Sequence, residues 1–224
     1  MFKNDYIMRI IQQFVEAVAK VVFNKKKKKL EEARQLAGES LRSLTGLGPD
    51  LLDALPLPEI LRLVEVDGAM DADRGMILAA LLDESADLSP NQAGPASGAR
   101  RRAIALHLYM AIRAAGRPCV MPERFERIPL LLEELDPGSL ARRTLVLLAG
   151  YHESEGDYGK AEDVWFDLIE AQPDSQGDLE GAAAFYRRLL SKDDGDLAGG
   201  NLPRTEVEEG LREIERRLDE ARSP

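Results

Sequence analysis

Apolar residues recur along this chain at intervals of three and four. Ile7, Ile11, Phe14, Val18 and Val21 form one uninterrupted stripe, widened by Met8, Ile10, Val15 and Val22, while Asp5, Arg9, Gln13, Glu16 and Lys20 hold the opposite side. Such spacing returns a residue to the same side of a helix at every turn, and it predicts an amphipathic helix over residues 5–24. Leu30, Ala33, Ala37 and Leu41 carry the pattern into a second helix that ends near Leu44. Shorter helices are expected after Pro49 and Pro58, then one over 71–83, and a pair at 100–115 and 122–135 broken by Gly116 and Pro118. Two more are expected at 179–190 and 204–218, the last entered through Pro203, capped by Thr205 and laced with Glu-Arg pairs such as Glu208 with Arg212. Period-two runs of β-branched and aromatic residues are missing, so helices rather than strands are expected.

The segment Leu145–Pro173, LVLLAGYHESEGDYGKAEDVWFDLIEAQP, is the most structured part of this pattern. Leu145, Leu148 and Ala149 share one side of a helix, for which Ser139 and Thr144 are start signals. Gly156 ends it, because glycine enters the left-handed region cheaply, and Asp157 stands where a cap for the next helix is needed. Ala161, Val164, Trp165, Leu168 and Ile169 give that second helix its apolar side, and Pro173 forbids continuation. Small Ala149 and Ala161 allow the two axes to approach, while Tyr158 and Trp165 offer large surfaces to a neighbouring pair.

In their spacing, Leu145, Leu148, Ala149, Gly156, Tyr158, Ala161, Trp165 and Pro173 resemble the tetratricopeptide repeat, a helical hairpin of about 34 residues. His152 stands where that family usually has an aromatic residue, Ala149 where it has Gly or Ala, and Leu168 where it has a smaller one. Gly177, Asp178, Leu179, Ala182, Phe185, Tyr186, Leu189 and Leu190 echo the turn and second helix only 21 residues later, so the array is irregular. Over most of the length, MFKNDYIMRIIQQF at the start and FYRRLLSKDDGDLAGGNLPRTEVEEGLREI near the end resemble a family of uncharacterised bacterial cytosolic proteins with tetratricopeptide-like helices. The likeness implies an all-α fold, an irregular stack of antiparallel helix pairs (an α-solenoid), and no activity. If the central pair follows its family, a groove is lined from the first helix by Arg143, Val146, Gly150, Glu153 and Ser154.

Three segments are expected: residues 1–88 with the amphipathic helix and lysine junction, a Pro/Gly/Ser-rich linker or loop at 89–98 (SPNQAGPASG lies within it), and a helical region at 99–224 with a C-terminal capping helix. The 224 residues are 44% apolar, enough to bury a core. Charge is segregated: residues 1–45 carry ten Lys or Arg against five Asp or Glu, whereas the whole chain has net charge −10. Lys25–Lys29 lack interleaved aromatics and sit on an acidic protein, which argues against nucleic acid. The stripe and lysines admit three readings. It is core docked on the helix at 28–44, or a peripheral anchor to anionic lipid, or a self-association seam through which the chain forms a homo-oligomer. The last two share the residues Ile7, Ile11, Phe14, Val18 and Lys25, Lys26, Lys27, Lys28 and Lys29. Arg9, Gln12, Gln13 and Glu16 interrupt any continuous apolar run, so the segment is neither a signal peptide nor a bilayer span.

Groups capable of chemistry are sparse. His107 and His152 fall in different helices without Cys or paired carboxylates at ligand spacing, so no metal or cofactor is expected. Phosphate loops, nucleophile elbows and HExxH are not present in the sequence. Asp67–Asp73 (DGAMDAD) and Asp193–Asp196 (DDGD) lack the later Glu of a calcium loop and read as solvated turns. The lone Cys119 fits a reducing compartment and a packing role. The expectation is a cytoplasmic, non-enzymatic scaffold that binds a protein or peptide segment in a helical groove, with a membrane-surface adaptor acting through the N-terminal helix as the alternative.

Overall fold

The computed structural model describes residues 2–88 and 94–222, with side chains over 8–88 and 97–220. Within them the protein is all-α, with twelve helices and one two-stranded sheet. The chain divides into two compact units, Met1–Ser139 and Leu140–Pro224. The break expected at 89–98 differs from this: residues 89–93 and the side chains of 94–96 lie outside the described residues, and a helix already runs from Gly94. The helices on either side of that segment pack on one another, so it interrupts the first unit without dividing it.

Unit 1 comprises α1 (Phe2–Lys26), α2 (Leu30–Thr45), α3 (Pro49–Ala54), α4 (Leu57–Arg62), strands β1 (Glu65–Val66) and β2 (Ala69–Met70), α5 (Ala72–Ser85), α6 (Gly94–Ala115) and α7 (Arg127–Glu134). Its middle is α5, where every residue from Gly75 to Asp83 is buried. A helix that is apolar all round must be covered on every side, and α5 packs against α1, α2 and α6. Unit 1 is therefore built around one central helix, which differs from the expected series of leaning hairpins. The Asp71 carboxylate caps α5 by accepting the Arg74 N–H at 3.0 Å. Just before it, β1 and β2 pair through Asp67 and Gly68, both at positive φ (53° and 77°), the Asp-Gly turn suited to a two-residue hairpin. Only two residues pair on each side, too few to leave a period-two pattern in the sequence.

The apolar stripe of α1 turns inward. Ile11, Val18 and Val21 are buried, and Val21 meets Ala33 and Ala37 of α2, the docking that the core reading expected. Charged pairs tie the outer elements to the centre. Arg101 of α6 donates from Nε and Nη2 to the two carboxylate oxygens of Asp53 on α3 at 2.8 and 2.6 Å, and from Nη1 to the Ser85 carbonyl of α5 at 3.2 Å. At the C-terminal end of α5, Asp83 accepts two bonds from Arg127 at 2.8 and 2.9 Å, and Glu84 accepts from Lys25 at 3.0 Å and Arg124 at 2.6 Å. Burial pushes the Glu84 carboxyl up, but the bonds from Arg124 and Lys25 outweigh it and hold the group below the usual range.

Unit 2 comprises α8 (Arg142–Glu155), α9 (Tyr158–Ala171), α10 (Gln176–Leu189), α11 (Asp194–Gly199) and α12 (Arg204–Arg222). Helix α8 packs on α9, α9 on α10, and α10 on α12. Gly156 adopts the left-handed conformation (φ 82°) that ends α8, and the Asp157 N–H returns to the His152 carbonyl at 2.9 Å. Asp157 makes no side-chain cap; its carboxylate takes the Lys160 ammonium at 2.8 Å. Arg212 likewise departs from its expected pairing and donates to the Glu208 carbonyl, while Glu213 holds Arg216 and Arg217. The stretch around Asp193–Asp196, expected as a solvated turn, begins α11, capped by Asp193, whose carboxylate accepts the Asp196 N–H.

Large rings set the spacing between these helices, and each lies where a glycine leaves room. A Cβ on Gly181 of α10 would stand 2.4 Å from the Trp165 ring of α9, and one on Gly210 of α12 would stand 2.4 Å from the Tyr186 ring of α10. At Gly200 a Cβ would meet both the Tyr158 ring at 2.3 Å and the Gly156 carbonyl at 2.4 Å, so the segment after α11 lies directly against the α8–α9 turn. Its carbonyl accepts the Gly159 N–H at 2.9 Å.

Two substitutions test these contacts by chemical denaturation. Gly200→Ala forces a methyl onto a backbone oxygen that cannot withdraw and should cost about 1–3 kcal/mol. Asp53→Ala strands the buried Arg101 guanidinium and should cost about 3 kcal/mol, whereas Arg62→Ala, which removes a partner from an exposed pair with Glu59, should stay within about 0.5 kcal/mol.

Candidate functional site

Thr144, Leu148 and Ala149 face the core, which leaves the other side of α8 outward. Arg143, Val146, Gly150 and Ser154 are exposed along that side, and Glu153 is half-buried. The five expected groove residues therefore share one helix side. Gly150, Glu153 and Ser154 also line one open recess of about 530 Å³, together with Glu155, Gly156, Tyr158 and Lys192. Arg143 and Val146 lie further along the same row. Val146, at 39% exposure, is one of the few large apolar side chains open to water. Nothing comes within 4 Å of the position a Gly150 Cβ would occupy, so the helix backbone is open there.

Glu153 is committed within unit 2: it accepts two hydrogen bonds from Arg188 of α10 at 2.6 and 2.7 Å. Its carboxylate forms part of the recess wall and ties α8 to α10, a role that local spacing did not reveal because the partner lies 35 residues away. Ser154 donates to the Tyr151 carbonyl at 2.7 Å. Ionic variety in the recess comes from Glu153, Glu155 and Lys192, with Arg143 beyond it on the same side.

At the N-terminus the structure separates the residues that the lipid and self-association readings grouped. Ile11 and Val18 are in the core and Phe14 is half-buried, so this side of the stripe is occupied by the protein's own helices; the Ile7 side chain lies outside the described residues. Lys25 is tied to Glu84 and Asp87, and Lys29 to Glu32. Lys26, Lys27 and Lys28 are exposed, and the Lys27 ammonium lies 5.7 Å from the centre of the Phe23 ring.

Titratable groups elsewhere are placed for packing. His107 is buried in α6 and engaged by a neighbour. Burial pushes the half-buried Cys119 thiol up, and Asp73 and Glu123 push it further, away from the reactive thiolate. The Tyr109 hydroxyl, buried without a hydrogen-bond partner, is raised by burial and by Asp83. The charges that bear on it, Asp83, Glu84, Arg124 and Arg127, come from α5, α7 and the turn before α7, so no sequence motif announces it. Among the described residues no group of three His, Cys, Asp or Glu side chains is arranged to hold a metal, and no helix is long and apolar enough to cross a membrane.

His152 stands in the last turn of α8. Its Nδ1 is buried without a hydrogen bond, 3.9 Å from the Asp157 carboxylate, and burial together with Lys160 holds the imidazole below the usual 6.5. The unfolded chain then binds more protons than the folded one just below pH 6.5, so unit 2 should lose stability as pH falls from there through the folded-state value. Urea midpoints compared at pH 7.5 and 5 should show a smaller drop for His152→Gln than for the unaltered chain.

No curated protein and no solved structure matches the chain. A family model does match, across residues 1–219, and its span takes in α8, the recess beside it and the lysine junction. The chain belongs to the family of unknown function DUF6483.

Proposed function

We propose that the protein is a non-enzymatic interaction module that holds a polypeptide segment along the outward side of α8. The observation that carries this reading is Gly150. A glycine inside a helix costs about 0.5–1 kcal/mol relative to alanine, and its usual benefit is close approach of another group to the backbone. No group of unit 2 makes that approach, which leaves the position to a partner. The pairing of α8 with α9 and of α10 with α12 supports a tetratricopeptide-like arrangement, in which first helices present such a side to ligands. Val146 supplies an apolar anchor, and Arg143, Ser154, Glu155 and Lys192 supply polar contacts of both signs, a combination suited to a peptide with one buried side chain and flanking charges.

The test uses tagged full-length protein as bait in extract from its native cell, with thermal unfolding measured in parallel. Gly150→Ala should raise stability by about 0.5–1 kcal/mol. Gly150→Trp fills the recess, and paired with Arg143→Ala it should abolish capture while leaving the unfolding midpoint within a few degrees. Capture that survives Gly150→Trp, Arg143→Ala and Val146→Ala together overturns the reading. Glu153 is left intact because its loss would free Arg188 and confuse binding with stability.

A further inference from the structure

The junction between α1 and α2 is unusually tight. Lys28 takes the left-handed conformation (φ 59°), and the Lys28 and Lys29 N–H groups return to the carbonyls of Lys25 and Asn24 at 2.9 Å each. Two large apolar side chains flank the turn beside the lysines: Phe23, 57% exposed, stands in the last turn of α1, and Leu30, 55% exposed, begins α2. Of the five lysines, Lys25 and Lys29 are spent on the protein's own carboxylates. Lys26, Lys27 and Lys28 make no ion pair among the described residues, and Lys27 sits over the Phe23 ring.

From this corner we infer a docking point for an anionic bilayer surface. Phe23 and Leu30 enter the boundary between headgroups and acyl chains, while Lys26, Lys27 and Lys28 meet lipid phosphates and carboxylates. The surface belongs to unit 1 and shares no residue with α8. Charge complementarity selects an anionic partner, and the apolar pair selects lipid. A nucleic-acid backbone would satisfy the ammonium groups and offer nothing to bury Leu30, whereas the bilayer accepts both. The chain's net charge of −10 does not forbid the contact. Charges are screened beyond about 8 Å at physiological ionic strength, and unit 1 itself is nearly balanced, with 19 Lys or Arg against 20 Asp or Glu. This placement also replaces the N-terminal stripe as the lipid-facing element, since Ile11 and Val18 are already buried.

Co-sedimentation of the full chain with phosphatidylcholine–phosphatidylserine vesicles tests the proposal. Attachment is expected at low salt, lost in high salt, and absent on phosphatidylcholine alone. Replacing Lys26, Lys27 and Lys28 with Gln should weaken it about fivefold per lysine, or about a hundredfold together. Phe23→Ala with Leu30→Ala should weaken it about tenfold or more with all lysines kept. Lys28→Gly removes one charge and relieves the left-handed strain, so it should weaken attachment about fivefold with no fall in the unfolding midpoint. No attachment to anionic vesicles at low salt, or attachment unchanged by the triple Gln variant, overturns the proposal. So does attachment indifferent to the Phe23 and Leu30 changes and displaced by a single-stranded oligonucleotide, which would mark a general polyanion surface.

Discussion

Unit 1 depends on the exclusion of water from every side of α5. With Met76 to Leu82 at most 2% exposed, no side of that stretch is left open, and this requirement places α1, α2 and α6 around it. It also explains the charges around it. Asp83 and Glu84 stand at the C-terminal end of α5, where the helix dipole already concentrates negative charge and adds its own cost. Arg127, Arg124 and Lys25 cancel that charge, and because they come from α7, the turn before it and α1, cancellation also fastens three outer pieces to the central helix. The lysine run is therefore structural at Lys25, paired locally at Lys29, and free to act elsewhere at Lys26, Lys27 and Lys28.

Unit 2 reaches a tight fit by a different route. Its helices are thin at the crossing points and its rings are thick, so Trp165, Tyr158 and Tyr186 each occupy space that a Cβ would otherwise take. Tyr186 then reaches Glu162 of α9 and donates to its carboxylate at 2.6 Å; burial raises the Glu162 pKa while this bond restrains the rise. The fit keeps the inward side of α8 engaged, and on its outward side unit 2 uses Glu153, through Arg188, while Arg143, Val146, Gly150 and Ser154 stay exposed.

Local signals carried most of the helices. The stripe from Ile11 to Val21 gave α1, Gly156 gave the end of α8, and Ala161 with Trp165 gave the inward side of α9, since each depends on neighbours within a turn or two. What the sequence concealed depends on distant partners or on elements too short to show a period. Arg101 and Asp53 are 48 residues apart, and nothing near either one marks it as half of a buried pair. The run GMILAALL is equally compatible with a helix of one buried side, so the central position of α5 emerges only once α1, α2 and α6 surround it. In the candidate site, the resemblance to the tetratricopeptide repeat singled out Arg143, Val146, Gly150, Glu153 and Ser154, which lie along one side of α8. The contribution of Lys192 to the recess, and the commitment of Glu153 to Arg188, required α10 to be in place.

The seat of Trp165 against Gly181 has an optical consequence. It is the chain's single tryptophan, 7% exposed, with its indole N–H unpartnered, and it belongs wholly to unit 2. Emission excited at the red edge of the spectrum therefore reports the opening of one half of the polypeptide alone, while far-ultraviolet dichroism sums both. Divergence between the two signals would count the separate cooperative transitions without a label on either half.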